Sequence, residues 1–148
     1  MKFTILILFC VFAWFPFFPK TDSVDSDERD ILETVFRHQI DHCYEDRSPK
    51  LYFLSYKGRD PSEALVERLE IQRASVRKRS QMGPFTDKGT GERGILCEIG
   101  AIDHRSPSSA EVRGSCGASL LDGYSYLYRL VRRNGKWTVK SRSLKGVS

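Results

Sequence analysis

The sequence predicts an α+β domain in which N-terminal helices pack on a curved antiparallel sheet. Apolar residues recur at spacings of three and four between Ile31 and Cys43, as in a helix with one buried side. Residues 60–63 have the composition of a helix start, and Asn134-Gly135 separates two runs of alternating side chains. Helices first and strands last is the element order of an α+β domain.

A hydrophobic segment precedes this domain. Residues 3–18 contain no charged side chain and follow Lys2, which is typical of an export signal. Acidic residues after Lys20 favour translocation of the chain that follows. As a helix the segment would be about 24 Å long, against about 30 Å for the hydrocarbon core of a bilayer. We assign residues 1–22 to a signal peptide or N-terminal membrane anchor and residues 23–148 to a single folded domain.

The sequence leaves the fate of this leader open. No small residues with cleavage spacing occur between Phe15 and Ser23, so the segment is either removed during export or retained as an anchor. Bulky Phe9 before Cys10 argues against lipid attachment. A buried core helix is a third interpretation. It is disfavoured because a terminal helix that is apolar on every side packs poorly onto a small domain. The predicted location is periplasmic or extracellular, with membrane contact through residues 3–18 in the anchored case.

The charge balance of the chain bears on its partners. The chain has 24 basic and 19 acidic residues, a net charge of +5. Lys2 and Lys20 flank the hydrophobic segment, so the rest of the chain carries 22 basic against 19 acidic side chains, or +3. Nucleic-acid binding usually needs a denser basic surface than this. We therefore expect no nucleic-acid partner.

Two helices are expected before the meander. Ser26 can cap the first, whose acidic first turn suits the positive end of the helix dipole. A short buried strand follows at 50–57, where aromatic residues are frequent. Asp60 then caps a second helix, which has Pro61 at its first position and ends near Glu70. The side chains of this second helix expected to face inward are Ala64, Leu65 and Leu69.

The remaining chain reads as strands and turns. The expected strands are a polar edge strand at 74–81 and four runs at 94–103, 110–120, 124–133 and 136–144. Residues 83–93 hold three glycines and a proline in a polar context and predict an exposed loop. The last four strands should form an antiparallel meander, because the connections between them are short.

The final hairpin indicates which side chains face the helices. Pairing across Asn134-Gly135 matches residues whose numbers sum to 269, which places Leu130 opposite Val139 and Tyr128 opposite Ser141. The face expected inside comprises Tyr124, Tyr126, Tyr128, Leu130, Trp137 and Val139. The face expected outside comprises Arg129, Val131, Arg133, Lys136, Lys140 and Arg142. This basic face is either a solvated strand surface or a contact for an anionic partner such as lipid headgroups.

The same order of elements resembles a known superfamily. Helix, strand, helix and a meander ending in YLYRLVRRNGKWTVKS is similar to NTF2-like proteins, also called SnoaL-like or cystatin-like α+β, over about residues 27–146. The resemblance implies an exported member of bacterial type, with a cone-shaped domain, a pocket between sheet and helices, and a homodimer through the outer sheet face. It implies no reaction, since the superfamily includes isomerases, cyclases, transport factors, immunity proteins and binding modules.

The cysteines allow two interpretations. Cys97 and Cys116 lie opposite each other if residue numbers across the hairpin sum to 213, and in an oxidising compartment they can form a disulfide. The alternative is two buried reduced thiols that pack as small apolar side chains. Either interpretation leaves Cys43 unpaired on the apolar stripe of the first helix.

Catalytic and metal-binding patterns are weak. His38 and His42 lie four apart on the first helix, but nothing in the sequence determines a third ligand, so we expect neither a metal nor a cofactor. A Ser/His/Asp set, a phosphate-binding glycine loop and a nucleophile elbow are all absent from the sequence, and no catalytic residue is assigned. The side chains expected to contact a ligand are the inward aromatic residues Tyr124, Tyr126, Tyr128 and Trp137.

These observations favour a non-catalytic function. We expect an exported or membrane-tethered module that binds a small ligand or a protein. An isomerase- or dehydratase-type enzyme that uses a tyrosine of 124–133 in the cone pocket is one alternative. An immunity-type protein that neutralises a partner is the other.

Overall fold

The computed structural model describes residues 25–44, 51–70 and 74–148, and the predicted leader lies outside these residues. The elements are α1 (Ser26–His42), β1 (Leu51–Tyr56), α2 (Glu63–Leu69), β2 (Ser75–Lys78), a 3-10 turn (Arg79–Gln81), β3 (Ile95–Ser106), β4 (Ser109–Ser119), β5 (Asp122–Arg133) and β6 (Lys136–Val147). The described residues thus contain two helices and one six-stranded sheet, which confirms the α+β class.

The sheet is mixed rather than antiparallel, which corrects one expectation. Its strand order is β2-β1-β3-β4-β5-β6, with β1 parallel to both β2 and β3 and antiparallel pairing from β3 to β6. The parallel half arises because α2 connects β1 to β2 as a crossover, which returns the chain in the same direction. The sequence pattern of β1 fits this environment, since a strand buried on both faces has no polar alternation.

Both helices begin close to their expected positions, with different caps. Asp25 precedes α1 without a side-chain cap, and Ser26 is already helical. At α2 the cap is Ser62, whose Oγ accepts a hydrogen bond from the Leu65 N–H at 3.4 Å. Asp60, the expected cap, instead accepts from the Ser80 N–H at 2.8 Å and ties the helix start to the turn after β2. The inward residues of α2 are Leu65, Val66 and Leu69, while Ala64 is exposed.

Helix α1 covers one face of the sheet, which we call the inner face. The apolar stripe of α1 is buried there against apolar side chains from all six strands. Members of this core include Ile31, Val35, Phe36, Leu54, Val112, Tyr128 and Leu130. The opposite face of β1 is buried as well, through Leu51 and Phe53. Residues 79–94, which we call the outer loop, run along that outer face and end at Gly94, where a Cβ would lie 2.7 Å from Phe53 Cε2.

The terminal hairpin has the expected turn and an unexpected register. Asn134 and Gly135 have φ angles of 50° and 74°, as a type I′ turn requires, and Leu130 pairs with Val139 as predicted. Lys140 is then an extra residue on β6, so Tyr128 pairs with Arg142 instead of Ser141. The bulge moves Arg142 from the predicted outer face to the inner face, where its guanidinium lies 5.2 Å from the Tyr126 ring centre.

Further bulges bend the meander. Lys145 is a second extra residue on β6, β3 carries one between Ile99 and Ile102, and β4 carries one at Ala118. The Ala118 N–H, released from the strand ladder, donates to Tyr44 Oη at 3.2 Å. Bulges increase local twist and curve the sheet, and on the edge strand they hinder pairing with another chain.

Candidate functional site

The predicted ligand-binding aromatic residues lie on the inner face. Tyr128 is fully buried and Trp137 is 5% exposed, whereas Tyr124 and Tyr126 are half-buried. The three tyrosine rings form a row, with centres 6.4 Å apart for Tyr124 and Tyr126 and 5.8 Å apart for Tyr126 and Tyr128. Ligand contact by these four residues stays a prediction, but the row is packed against α1 along much of its length.

Two of these four aromatic residues have clear structural contacts. Trp137 Nε1 donates to Asp27 Oδ1 at 2.8 Å, and Arg132 makes an ion pair with the same carboxylate at 3.1 Å. These contacts join β6 to the first turn of α1. Tyr128 lies edge-on to the His38 ring at 5.7 Å, and burial raises the pKa of Tyr128 because the phenolate would lose its hydration.

The paired histidines of α1 form a stack. The rings of His38 and His42 are 4.2 Å apart, and His42 Nδ1 lies 3.0 Å from the His38 carbonyl oxygen. No cluster of three or more His, Cys, Asp or Glu side chains suited to a metal ion occurs in the described residues. The histidines therefore contribute ring contacts at the C-terminal half of α1.

A buried glutamine also joins α1 to the sheet. Gln39 is fully buried in the apolar stripe, and its Nε2 donates to the Glu98 and Ser115 carbonyl oxygens, each at 3.2 Å. Gly114 makes room for this contact, since a Cβ there would lie 2.7 Å from Gln39 Nε2 and 3.1 Å from Tyr128 Cε2. Sequence reasoning missed the pair, although a polar residue within an apolar helical stripe was a usable signal.

The disulfide differs from both interpretations of the cysteines. Cys43 at the end of α1 is bonded to Cys116 on β4, with a Cα–Cα distance of 6.3 Å, and Cys97 is a buried free thiol. The predicted register is correct at this pair, because Cys97 and Cys116 are direct cross-strand partners. Beyond the bulge between Ile99 and Ile102 the register is shifted by one residue, so that Asp103 pairs with Glu111. Neither interpretation of the cysteines is correct: the possible Cys97–Cys116 bond is not formed, and Cys116 is not a reduced thiol. The end of α1 brings Cys43, which was expected to be unpaired, to Cys116 on the inner face, a contact that strand register cannot reveal.

An open groove lies on the outer face of the sheet, opposite α1. One part has a volume of about 660 Å³, and an adjoining part has about 320 Å³. Glu98, Ser115 and Ser125 line both parts, so the two are continuous across β3, β4 and β5. Each volume falls in the range of small-molecule sites.

The floor of the groove consists of small residues. The outer-face positions there are Gly100, Ser115, Gly117, Ser125 and Gly146. A solvated sheet face usually carries longer side chains that cover the backbone. Small residues on four neighbouring strands leave a depression, and the curvature from the bulges deepens it.

Three cations surround the first part of the groove: Lys57, Arg113 and Lys145. Arg113 lies opposite the bulge of β3, and Lys145 is itself a bulged residue of β6. Lys57 pairs with Glu28 at 3.7 Å, whereas neither Arg113 nor Lys145 makes an ion pair with any described residue. The carboxylate in the groove, Glu98, is balanced by Arg79 at 3.8 Å. The site therefore has uncompensated positive charge.

A cluster of four charged residues elsewhere on the outer face is internally balanced. Glu111 makes ion pairs with Arg105 at 2.7 Å and with Arg129 at 3.2 Å. Asp103 also makes an ion pair with Arg105, at 3.1 Å. The hydrogen bonds from Arg105 hold the pKa of Glu111 below its usual value. Each of these charged residues has an ion-pair partner within the cluster, whereas Arg113 and Lys145 have none in the described residues.

The outer loop forms one wall of the groove through Phe85. Asp87 organises this loop, because its Oδ1 accepts from the Thr90 and Gly89 N–H groups at 2.8 and 2.7 Å. These backbone hydrogen bonds hold the pKa of Asp87 below its usual value. The wall is thus an ordered turn stabilised by a carboxylate.

The lining of the groove is suited to binding an anion. Cations, hydroxyl groups and apolar side chains such as Leu127 and Phe85 line the groove. Its one lining carboxylate in the described residues is ion-paired, and no histidine or cysteine thiol faces it as a base or nucleophile. An acid with an apolar body matches both the charge and the lining of the groove.

Comparison with protein-family models, with curated proteins and with solved structures finds no match to this chain. In the described part of the chain no helix has the length and apolarity to cross a membrane.

Proposed function

We propose that this protein is a non-catalytic binding module whose site is the groove on the outer face of the sheet. The ligand we propose is a small organic anion with an apolar body. Its acid group pairs with Arg113 and Lys145, and its apolar part lies over the small-residue floor.

The observation that carries this proposal is the unbalanced charge beside the depression. Arg113 and Lys145 line the groove without an ion-pair partner in the described residues, whereas Arg105 and Arg129 on the same face are paired. The bulge at Lys145 supports the proposal, since bulges commonly re-aim a side chain at a binding site.

The proposal also includes a location and a fold family. Export, with or without retention by residues 3–18, is supported by the Cys43–Cys116 disulfide, because such bonds persist mainly in oxidising compartments. An NTF2-like relationship is supported by a helix packed on a strongly curved meander. A homodimer through the outer face would cover the groove, so dimer formation and ligand binding are alternatives there.

The experiment compares two ligands of nearly the same shape. 2-Naphthoate carries the acid and 2-naphthamide is its neutral counterpart, and both are titrated into the full-length protein by calorimetry. We expect naphthoate to bind more tightly. Exposed ion pairs contribute up to about 1 kcal/mol each. The Arg113→Gln, Lys145→Ala double variant should therefore weaken naphthoate binding by up to about 30-fold.

A matched control is available on the same strand. Lys140 is the other bulged lysine of β6, and it does not line the groove. Lys140→Ala should leave naphthoate affinity unchanged. Equal affinity for naphthoate and naphthamide, or equal losses in Lys140→Ala and in the Arg113→Gln, Lys145→Ala double variant, would rule out the proposed site.

A further inference from the structure

Three sulfur atoms lie together under the sheet. Cys116 Sγ is bonded to Cys43, and the Cys97 Sγ lies 3.7 Å from the same Cys116 Sγ. Cys97 is fully buried and faces Cys116 directly across the β3–β4 ladder. A free thiol in contact with a disulfide sulfur is the starting arrangement for thiol–disulfide exchange.

We propose that this protein exchanges its disulfide between two isomers, Cys43–Cys116 and Cys97–Cys116. The Cys97 thiol loses its proton to water or hydroxide, and its thiolate attacks Cys116 Sγ. The new bond forms as the Cys43–Cys116 bond breaks, and Cys43 leaves as a thiolate that takes up a proton. One disulfide and one thiol exist before and after, so no oxidant or reductant is required.

The second isomer needs little movement of the chain. Directly opposed residues on antiparallel strands have Cβ atoms about 4.5–5.5 Å apart, close to the Cβ separation within a disulfide. The Cys97 and Cys116 sulfurs are 3.7 Å apart and need to approach to about 2.05 Å. A side-chain rotation with a small strand adjustment covers this difference.

Exchange releases the covalent tie at the end of α1. That end remains held by non-covalent contacts: Tyr52 Oη donates to the Ile40 carbonyl at 3.0 Å, and Arg142 donates to the His42 carbonyl at 3.3 Å. Tyr44 Oη donates to the Asp122 carbonyl at 2.9 Å. The Cys97–Cys116 isomer is therefore folded, with the end of α1 less firmly attached.

Burial makes the exchange slow near neutral pH. Loss of hydration raises the pKa of the Cys97 thiol, and the charge of Glu98 acts in the same direction. The titratable groups from packed strands that interact electrostatically with Cys97 are Tyr52 and Tyr128. All of these groups are neutral or negative, so none favours the thiolate. Below the thiol pKa, each unit of pH raises the thiolate fraction about tenfold.

The cysteines can be followed separately by peptide mass mapping. Trypsin places Cys43, Cys97 and Cys116 in the separate peptides 38–47, 94–105 and 114–129, and Cys10 in another. The full-length oxidised protein is held at about pH 7 or about pH 10, quenched in acid and alkylated before digestion. We expect Cys97 to be labelled at the lower pH, and Cys43 labelling with linked 94–105 and 114–129 peptides to appear at the higher pH.

Two variants make the outcome decisive. Cys43→Ser, oxidised in a glutathione buffer, should yield the Cys97–Cys116 link, whereas Cys97→Ser should retain Cys43–Cys116 at both pH values. Circular dichroism reports whether each sample stays folded. Unchanged Cys97 labelling in the folded wild-type protein after long incubation at the higher pH would overturn the proposal. Free Cys97 and Cys116 in folded, oxidised Cys43→Ser would overturn it as well.

Discussion

The two faces of the meander use the same strands for opposite purposes. On the inner face, alternate residues of β5 such as Tyr128 and Leu130 are fully buried against α1. On the outer face, the intervening positions include Ser125 and Leu127, which line an open groove. Since side chains alternate along a strand, one sequence can specify a filled core and an open depression only a sheet thickness apart.

The difference shows how a small domain can gain a site without weakening its core. The inner face contains the large side chains, the disulfide and the buried Gln39 contact. The outer face contributes little apolar burial over β4 to β6, so small residues can occupy it at low cost in stability. Mutations on the two faces should therefore separate folding from binding.

The largest expected effect is on the inner face. Tyr128→Ala removes a fully buried ring and should lower the free energy of unfolding by about 3–5 kcal/mol. The matched variant Arg129→Ala, one residue along and exposed, should cost less than about 1 kcal/mol. Urea denaturation followed by circular dichroism measures both. Similar losses would mean that the two faces are not energetically distinct.

The next largest effect is expected at Gly114, where the missing side chain leaves space for Gln39. Gly114→Ala should destabilise the fold by about 1–3 kcal/mol, because the new methyl group would displace Gln39 and press on the Tyr128 ring. Gly100→Ala is the control, since its nearest neighbour would be the Arg113 carbonyl oxygen at 3.7 Å. A thermal midpoint as high in the Gly114 variant as in the Gly100 variant would contradict this packing.

A binding effect without a folding effect is expected on the outer face. Ser125→Trp fills the groove and should weaken naphthoate binding by at least about tenfold, while stability changes by less than about 1 kcal/mol. Ser141→Trp places the same ring on β6 outside the groove and should leave affinity unchanged. Calorimetry and urea denaturation together test this; retained affinity in the Ser125 variant would count against the groove.

The smallest effect is a local response to acid. The pKa of Asp87 is lower in the folded protein than in the unfolded chain, so its contribution is present above the unfolded pKa and is lost as pH falls through the folded pKa. The protection factors of the Gly89 and Thr90 amides, which correct the exchange rates for their intrinsic slowing in acid, should therefore fall as the pH is lowered. Asp87→Asn should show fast exchange already at neutral pH. Slow exchange in this variant would show that the carboxylate does not order the loop.

Much of this architecture could be predicted from the sequence, and the exceptions have physical causes. Alternation and the Asn134-Gly135 turn predicted β5 and β6 correctly, because strand period and turn chemistry are local. The bulges at Lys140 and Lys145 were missed, since one extra residue hardly disturbs a short alternating pattern. Arg142 was assigned to the wrong face of the sheet because the bulge at Lys140 was missed.

Contacts between distant elements were harder to predict. The disulfide partner of Cys116 depends on where the end of α1 crosses the sheet, which neither periodicity nor register determines. The groove was missed for a related reason. No single strand marks its small residues as part of a groove. The groove forms only because Ser115, Gly117 and Ser125 are neighbours in the sheet.

Chemical-shift mapping of naphthoate on the isotope-labelled protein tests the central claim most directly, because it locates the ligand on one face. We predict that the largest amide shifts occur at groove residues such as Arg113, Ser115, Ser125 and Lys145, with little change at His38. Shifts concentrated at His38, Tyr124 and Tyr126 would place the ligand among the inner aromatic residues and contradict the account.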